Sequence, residues 1–490
     1  MPLRRRFAPL LAPLLLAAPL AAQTPTVGPP RGAVVVVGGG AIGTDVYGRF
    51  IELAGGPDAL IVDVPTAGGD STYPATWRGT AGLKAAGARN VVVLHTIDRT
   101  QADDSAFAAV LARAGGVWFE GGRQWHLVDS YAGTRTERGF HDVLARGGVV
   151  GGTSAGASIL ASYLLRGARA GNTIVMAPGY EQGFGFLRGV AIDQHVVARE
   201  RLRDLADSLR PAHPELLGIS EDEGTAWVVR GDVAEIVGRN KAFVYGGRDA
   251  NDAGSPFLTL HPGDRYDLAA RRVVHRAIDD SPLTESFVDS LFRGARGGAG
   301  ATATRRVAVL VAQSGRVLVD KSYGIALSSN YMPTTTVPNF PLGGLARVLD
   351  SLAARLGPRG TGDAQLVSRR IFTPIGAHKT VVESGRAESN VDELYRLALG
   401  FEAAGRTFFA DSLGAPLGAP PADEALGWTA DRWRGLARLG VYGTDAGTRH
   451  AFVRLPDRHV TIIILSDDDA LDAKGIAERI GDRLLGAAKR

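Results

Sequence analysis

No cysteine occurs among the 490 residues of this chain, which rules out a disulfide framework and a lipid-bearing cysteine. Stability in an oxidising compartment would rest on packing alone. Long apolar runs are also missing: Leu10 to Leu20 is too short to cross a bilayer, and no later segment is long enough. This excludes a stable membrane anchor. The ten histidines are scattered, with none in a metal-ligand spacing such as H-E-x-x-H, so no metal site is expected. An excess of one charge is absent too, because three of the net +4 charges are Arg4, Arg5 and Arg6. That balance gives no electrostatic reason to expect nucleic acid or an anionic membrane surface as a partner.

Arg4-Arg5-Arg6, the following apolar run and Ala21-Ala22 together read as a signal peptide over residues 1–22, which predicts a secreted or periplasmic protein. A chain of this length predicts two domains. From Ala33 onward short β-rich runs alternate with helix-compatible stretches: Val34–Val37, Leu60–Val64, Val91–Leu94 and Gly116–Phe119. Runs apolar on both faces predict an α/β domain over 33–285 with a doubly wound, mostly parallel sheet. Ala226–Val229 and Val233–Val237 read as hairpin strands at one edge. A Gly/Ala-rich linker is expected over 286–304 and an α+β domain over 305–490, opening with a hairpin and closing on a strand and the helix Ala473–Leu485.

The chemistry centres on Gly152-Thr153-Ser154-Ala155-Gly156, a G-x-S-x-G stretch between the apolar run Gly147–Val150 and a helix-compatible segment, Ser158–Leu165. Strand, sharp turn and helix are the setting of a nucleophile elbow. Glycines let the turn close, and the helix that follows aims backbone N–H groups at the place where an oxyanion would form. Four further segments could serve that serine. His195, ending Ile192-Asp193-Gln194-His195, is a candidate general base. Glu221-Asp222-Glu223 offers three acids, any of which could orient the imidazole. Gly121-Gly122-Arg123-Gln124 could bring amides to the oxyanion. Arg199 and Arg201 could bind a substrate carboxylate.

Taken in order, these segments resemble the cyanophycinase and aspartyl dipeptidase family of serine peptidases, from about Ala33 to Gly246. Gly38-Gly39-Gly40, Ala54-Gly55-Gly56, Val64-Pro65-Thr66-Ala67 and Gly218-Ile219-Ser220 add to the match. The resemblance implies a class-I-glutaminase-like fold, Ser154 as nucleophile, His195 as base and Glu223 as the orienting acid. It implies Asp193 in support, an oxyanion hole from Ala155 and the Gly121-Gly122 loop, no cofactor, a peptide substrate and a homodimer. Arg123 departs from the family pattern, which usually has Asp there; the reversed charge favours an acidic over an arginine-bearing substrate. The expected reaction is hydrolysis of β-aspartyl or other aspartyl peptide bonds through an acyl-enzyme.

Two other readings compete. Gly38-Gly39-Gly40-Ala41-Ile42-Gly43 spells G-x-G-x-x-G after a strand, with Asp63 about 25 residues on, as in an NAD-dependent oxidoreductase. A non-catalytic secreted binding protein is the other. The C-terminal region weakly resembles serine β-lactamase-like hydrolases at Gly315–Gly324, Ile371–Gly376 and Arg454–Asp457. Where that fold carries S-x-x-K, this chain has Gly344 and Arg347, which implies a domain without catalysis of its own.

Overall fold

The computed structural model describes residues 26–252, 255–292, 306–323, 339–346, 349, 368–373, 375–383, 386–403, 428–444 and 447–486. The signal peptide 1–22, linker residues 293–304 and Arg347 lie outside the described residues.

The first domain holds fourteen strands: β1 (Ala33–Val37), β2 (Ile61–Val64), β3 (Val91–Val93), β4 (Gly116–Phe119), β5 (Val149–Thr153), β6 (Ala161–Tyr163), β7 (Leu187–Gln194), β8 (Leu217–Glu221), β9 (Thr225–Arg230), β10 (Val233–Gly238), β11 (Ala242–Tyr245), β12 (Leu258–Leu260), β13 (Arg265–Asp267) and β14 (Arg272–His275). They form two sheets, ordered β14-β13-β10-β9-β1-β5-β4-β2-β3 and β12-β11-β8-β7-β6. The fold is α/β, and β1 to β5 run parallel as expected. The remainder of the large sheet is antiparallel, so the sheet is mixed rather than mostly parallel.

Strand alternation explains the layering. Val34 and Val36 of β1 enter the core shared with β7, β8 and β11 of the second sheet. Val35 and Val37 face the helix Thr44–Ala54 through Val46, Phe50 and Ile51. Burial on both faces is what made these runs read as uninterrupted valine. The helix expected over Ser158–Leu165 is not there. The helix after the elbow is only Ala155–Ser158, and the chain then enters β6, whose backbone pairs with β7.

The C-terminal region adds β15 (Val307–Gln313), β16 (Arg316–Tyr323), β17 (Phe340–Pro341), β18 (Val381–Glu383), β19 (Arg386–Ser389), β20 (Thr429–Trp433), β21 (Leu436–Gly443), β22 (His450–Leu455) and β23 (Val460–Ser466). Six of these make an antiparallel sheet, β16-β15-β23-β22-β21-β20. Ile463 and Leu465 of β23 pack with the helix Val391–Ala403; Ile462 and Ile464 pack on the other face with Ala473–Leu485, which has the predicted bounds. The domain boundary needs correction. The helix Glu285–Leu291 occupies the start of the expected linker, and its Val288, with Phe292, joins the outer core of the C-terminal sheet. Phe287, Val288, Leu291 and Phe292 give that stretch an apolar face, so it folds onto the sheet instead of spanning a gap.

Candidate active site

Strand register assembles the site. Val37 pairs with Thr153 and Phe119 with Gly152, so β1, β4 and β5 end side by side. In the second sheet Asp193 pairs with Ser220 and Gln194 with Glu221, so the chains leaving β7 and β8 stay adjacent. The residues just past these carboxyl ends are Gly38–Gly40, Glu120–Gly122, Ser154, His195 and Asp222–Glu223. Strand carboxyl ends are where α/β sheets place their ligands.

Ser154 sits at φ 55° and ψ −116°, a conformation that costs a non-glycine residue and persists only where neighbours enforce it. Its N–H donates to the Val37 carbonyl at 3.0 Å. The flanking glycines are needed for space: a Cβ on Gly152 would lie 2.1 Å from the Gly156 carbonyl oxygen, and one on Gly156 would lie 2.2 Å from that of Phe119. His195, also at positive φ (56°), places Nε2 2.8 Å from Ser154 Oγ and Nδ1 2.7 Å from Glu223 Oε1. The carboxylate accepts from Nδ1–H, which leaves Nε2 bare to accept the Ser154 hydroxyl proton. The bond from His195, reinforced by His378, holds the Glu223 carboxyl well below the usual carboxylate range, so it stays charged.

The three candidate acids have separate roles. Glu223 orients the imidazole. Asp222 Oδ1 accepts from the N–H groups of Val197 (3.2 Å) and Ala198 (3.0 Å), which fixes the loop leaving His195. Glu221 is fully buried, and desolvation pushes its carboxyl well above the usual range. The Gly38–Gly40 turn is the floor beneath this pair. A Cβ on Gly39 would lie 2.2 Å from His195 Cε1, and one on Gly40 would lie 2.3 Å from Glu223 Oε2. Asp63, the acid expected of a dinucleotide fingerprint, is fully buried inside β2, and burial beside Glu120 raises its carboxyl well above the usual range.

Other predicted residues are distributed differently. Gly121 borders the nucleophile: a Cβ placed on it would lie 3.3 Å from Ser154 Cβ. The Ala155 N–H opens the short helix after Ser154, and Gly122 is exposed, so both belong with Gly121 among the candidate oxyanion donors. Gln124 is buried at the first turn of the helix Gln124–Tyr131. Arg123 is half-buried, with Nη2 donating to the Ala168 carbonyl at 2.5 Å. Asp193 is fully buried and grips Arg166 through two bonds, Nε to Oδ1 at 2.7 Å and Nη2 to Oδ2 at 2.6 Å. Arg166 also reaches Asp204 at 2.7 Å. A buried carboxylate needs such a partner. Arg199 is exposed, whereas Arg201 is buried, and its Nη1 has no hydrogen-bond partner among the described residues. Burial lowers the Arg201 guanidinium to about 10, still charged at neutral pH.

Sequence reasoning missed Arg166 and His378. A lone arginine at φ 59° and a lone histidine on a loop give no local pattern to read.

The family model of peptidase family S51 matches residues 34–237. A cyanophycinase from Geminocystis herdmanii is 30% identical over 44% of this chain and 82% of its own length. One from Trichormus variabilis is 30% identical over 54% of this chain and 95% of its length. A solved peptidase structure from an acI-B1 Actinobacterium is 24% identical, with a TM-score of 0.39, covering 48% of this chain and 97% of that one. The chain belongs to peptidase family S51 and is a serine-type peptidase.

Proposed function

We propose that this peptidase hydrolyses β-aspartyl or other aspartyl peptide bonds, and does so outside the cytoplasm. The unbroken line Ser154–His195–Glu223, with contacts of 2.8 and 2.7 Å, carries the reading. His195 takes the Ser154 proton as Oγ attacks the scissile carbonyl. The resulting oxyanion is met by amides of Ala155 and the Gly121-Gly122 loop. Collapse gives the acyl-enzyme as His195 returns the proton to the leaving amine; water, activated by the same imidazole, then releases the acid.

The aspartyl preference draws on the cyanophycinase relatives and on the cations near the loops. Arg201 keeps a buried donor in reserve, and Arg123 is held in place by Ala168. A fixed guanidinium is a better carboxylate reader than a mobile one. No observation favours the dinucleotide reading, since His195 and Glu223 fill the space over Gly39 and Gly40. Export rests on the sequence of residues 1–22. We read the C-terminal domain as a β-lactamase-like unit that has lost its own nucleophile, on the strength of Gly344.

The test is hydrolysis of β-Asp-Leu, β-Asp-Arg, α-Asp-Leu and cyanophycin by the mature protein and by Ser154→Ala. The expected result is cleavage of an aspartyl substrate by the wild type alone, with β-Asp-Leu ahead of β-Asp-Arg. Equal activity of the variant, or no aspartyl cleavage by either protein, would overturn the reading.

A further inference from the structure

The C-terminal domain reaches the catalytic acid. Glu223 uses Oε1 for His195, and its other oxygen, Oε2, faces Nε2 of His378 at 3.9 Å. His378 belongs to the second domain, on the short loop before β18. We propose that His378 is a positioning residue for catalysis, extending the line Ser154–His195–Glu223 by a fourth member supplied from the C-terminal domain. The inference rests on the serine-peptidase reading above.

Four observations support it besides the distance. The loop is itself fixed: Arg396 donates to the Gly376 carbonyl, and the Lys379 N–H donates to Glu393 Oε1 at 2.8 Å, tying His378 to the helix Val391–Ala403. That helix is in turn docked on the first domain. Its Asp392 meets Lys241 Nζ at 2.9 Å, and Lys241 meets Asp320 of β16 at 2.6 Å, all largely buried. Arg396 also stands 4.0 Å from Asp222 Oδ2, the acid whose other oxygen holds the loop after His195. The second domain thus touches both carboxylates that hold the catalytic histidine. Finally, a cavity of about 230 Å³ lies behind Glu223, lined from both domains, with His378, Lys379, Glu200 and Glu393 on its walls.

A carboxylate held at one oxygen can swing about its last bond, while one held at both cannot. A cation at 3.9 Å supplies the second hold without needing exact direction. Of the charged groups around His378, Glu223 and Glu393 favour its protonated form and Arg396 opposes it, with Lys379 and Glu200 on the same cavity wall. Glu223, the largest influence, raises the ring above its ordinary value, so the cation is present across the acid side of the profile. The same positive charge disfavours a second one on His195, across the carboxylate.

The experiment measures the rate at which a fluorophosphonate labels Ser154 in the full chain from pH 5 to 9. This reads the nucleophile directly, whatever the natural substrate. Wild type is compared with His378→Gln and His378→Lys, with thermal melts for each. His378→Gln should label roughly threefold more slowly at neutral pH, the effect of losing a partly exposed ion pair. Its acid limb should move up by a few tenths of a pH unit. His378→Lys keeps a cation and should keep the wild-type limb. A Gln variant with wild-type rate and limb would overturn the proposal. So would equal losses in Gln and Lys with unmoved limbs, which would mean packing alone. A wild-type chain that does not label would overturn the serine reading itself.

Discussion

Glu223→Gln is the substitution whose consequence can be worked most directly from the geometry. Glutamine keeps the size of the side chain and can still accept from His195 Nδ1, but it carries no charge. The imidazole accepts the Ser154 proton only in its uncharged form, so the ground state from which reaction starts loses little. In the transition state the ring has taken the Ser154 proton and stands beside the carboxylate, with Nδ1 and Oε1 2.7 Å apart. With charge centres about 4 Å apart and an effective dielectric constant of about 20, that attraction is about 4 kcal/mol. The neutral amide retains about 1 kcal/mol of hydrogen bond. The difference, about 3 kcal/mol, corresponds to a loss of at least a hundredfold in kcat, at about 1.4 kcal/mol per tenfold. KM should stay within about threefold, because the ground state is spared. Steady-state hydrolysis of the best substrate in the aspartyl panel reads both constants. A loss under tenfold, or one expressed only in KM, would refute the reasoning.

Three further outcomes are expected. Gly39→Ala would push its Cβ to 2.2 Å from His195 Cε1 at a backbone φ of 93°, so kcat should fall by roughly two orders of magnitude, as misplacement of a catalytic group does, with stability lowered by about 1–2 kcal/mol for the left-handed backbone; normal turnover would contradict the placement of that turn. Asp193→Asn breaks the buried pair with Arg166 and should lower stability by about 3 kcal/mol in a denaturant melt, and an unchanged midpoint would contradict the pairing as described. Burial raises the Glu120 carboxyl to about 7. A group raised on folding stabilises below its unfolded value and loses that contribution as pH rises to the folded value. Thermal stability of the wild type should therefore fall between about pH 4.5 and 7, and Glu120→Gln should flatten that slope; parallel wild-type and variant curves would contradict it.

How much was readable from the residues follows from the range of the forces involved. The elbow is local: small residues around Ser154, a valine run before it and a short helix after it all lie within a few positions. The four valines of β1 announced a strand buried on both faces, and Ala473–Leu485 announced its helix by periodicity. What depended on distant partners was not legible. Gly38–Gly43 fits two chemistries equally well until His195 and Glu223 are seen packed on Gly39 and Gly40. Ser158–Leu165 has helical composition, yet pairing with β7 makes part of it strand. Among Glu221, Asp222 and Glu223, nothing in the order of residues says which meets the imidazole. The end of β8 at Glu221 decides it, by burying that side chain and sending the next two into the site. Asp193 looks like a neighbour of the base, but strand alternation turns it to Arg166. His378 is the extreme case, brought to Glu223 only by the docking of one domain on the other.

Everything proposed here turns on Ser154 as the nucleophile, activated through His195 and Glu223. Mass spectrometry after fluorophosphonate treatment tests it most directly. One adduct per chain is expected, mapped to Ser154, absent from Ser154→Ala and strongly slowed in Glu223→Gln. An adduct on another residue, or equal labelling of the Ser154→Ala chain, would contradict it.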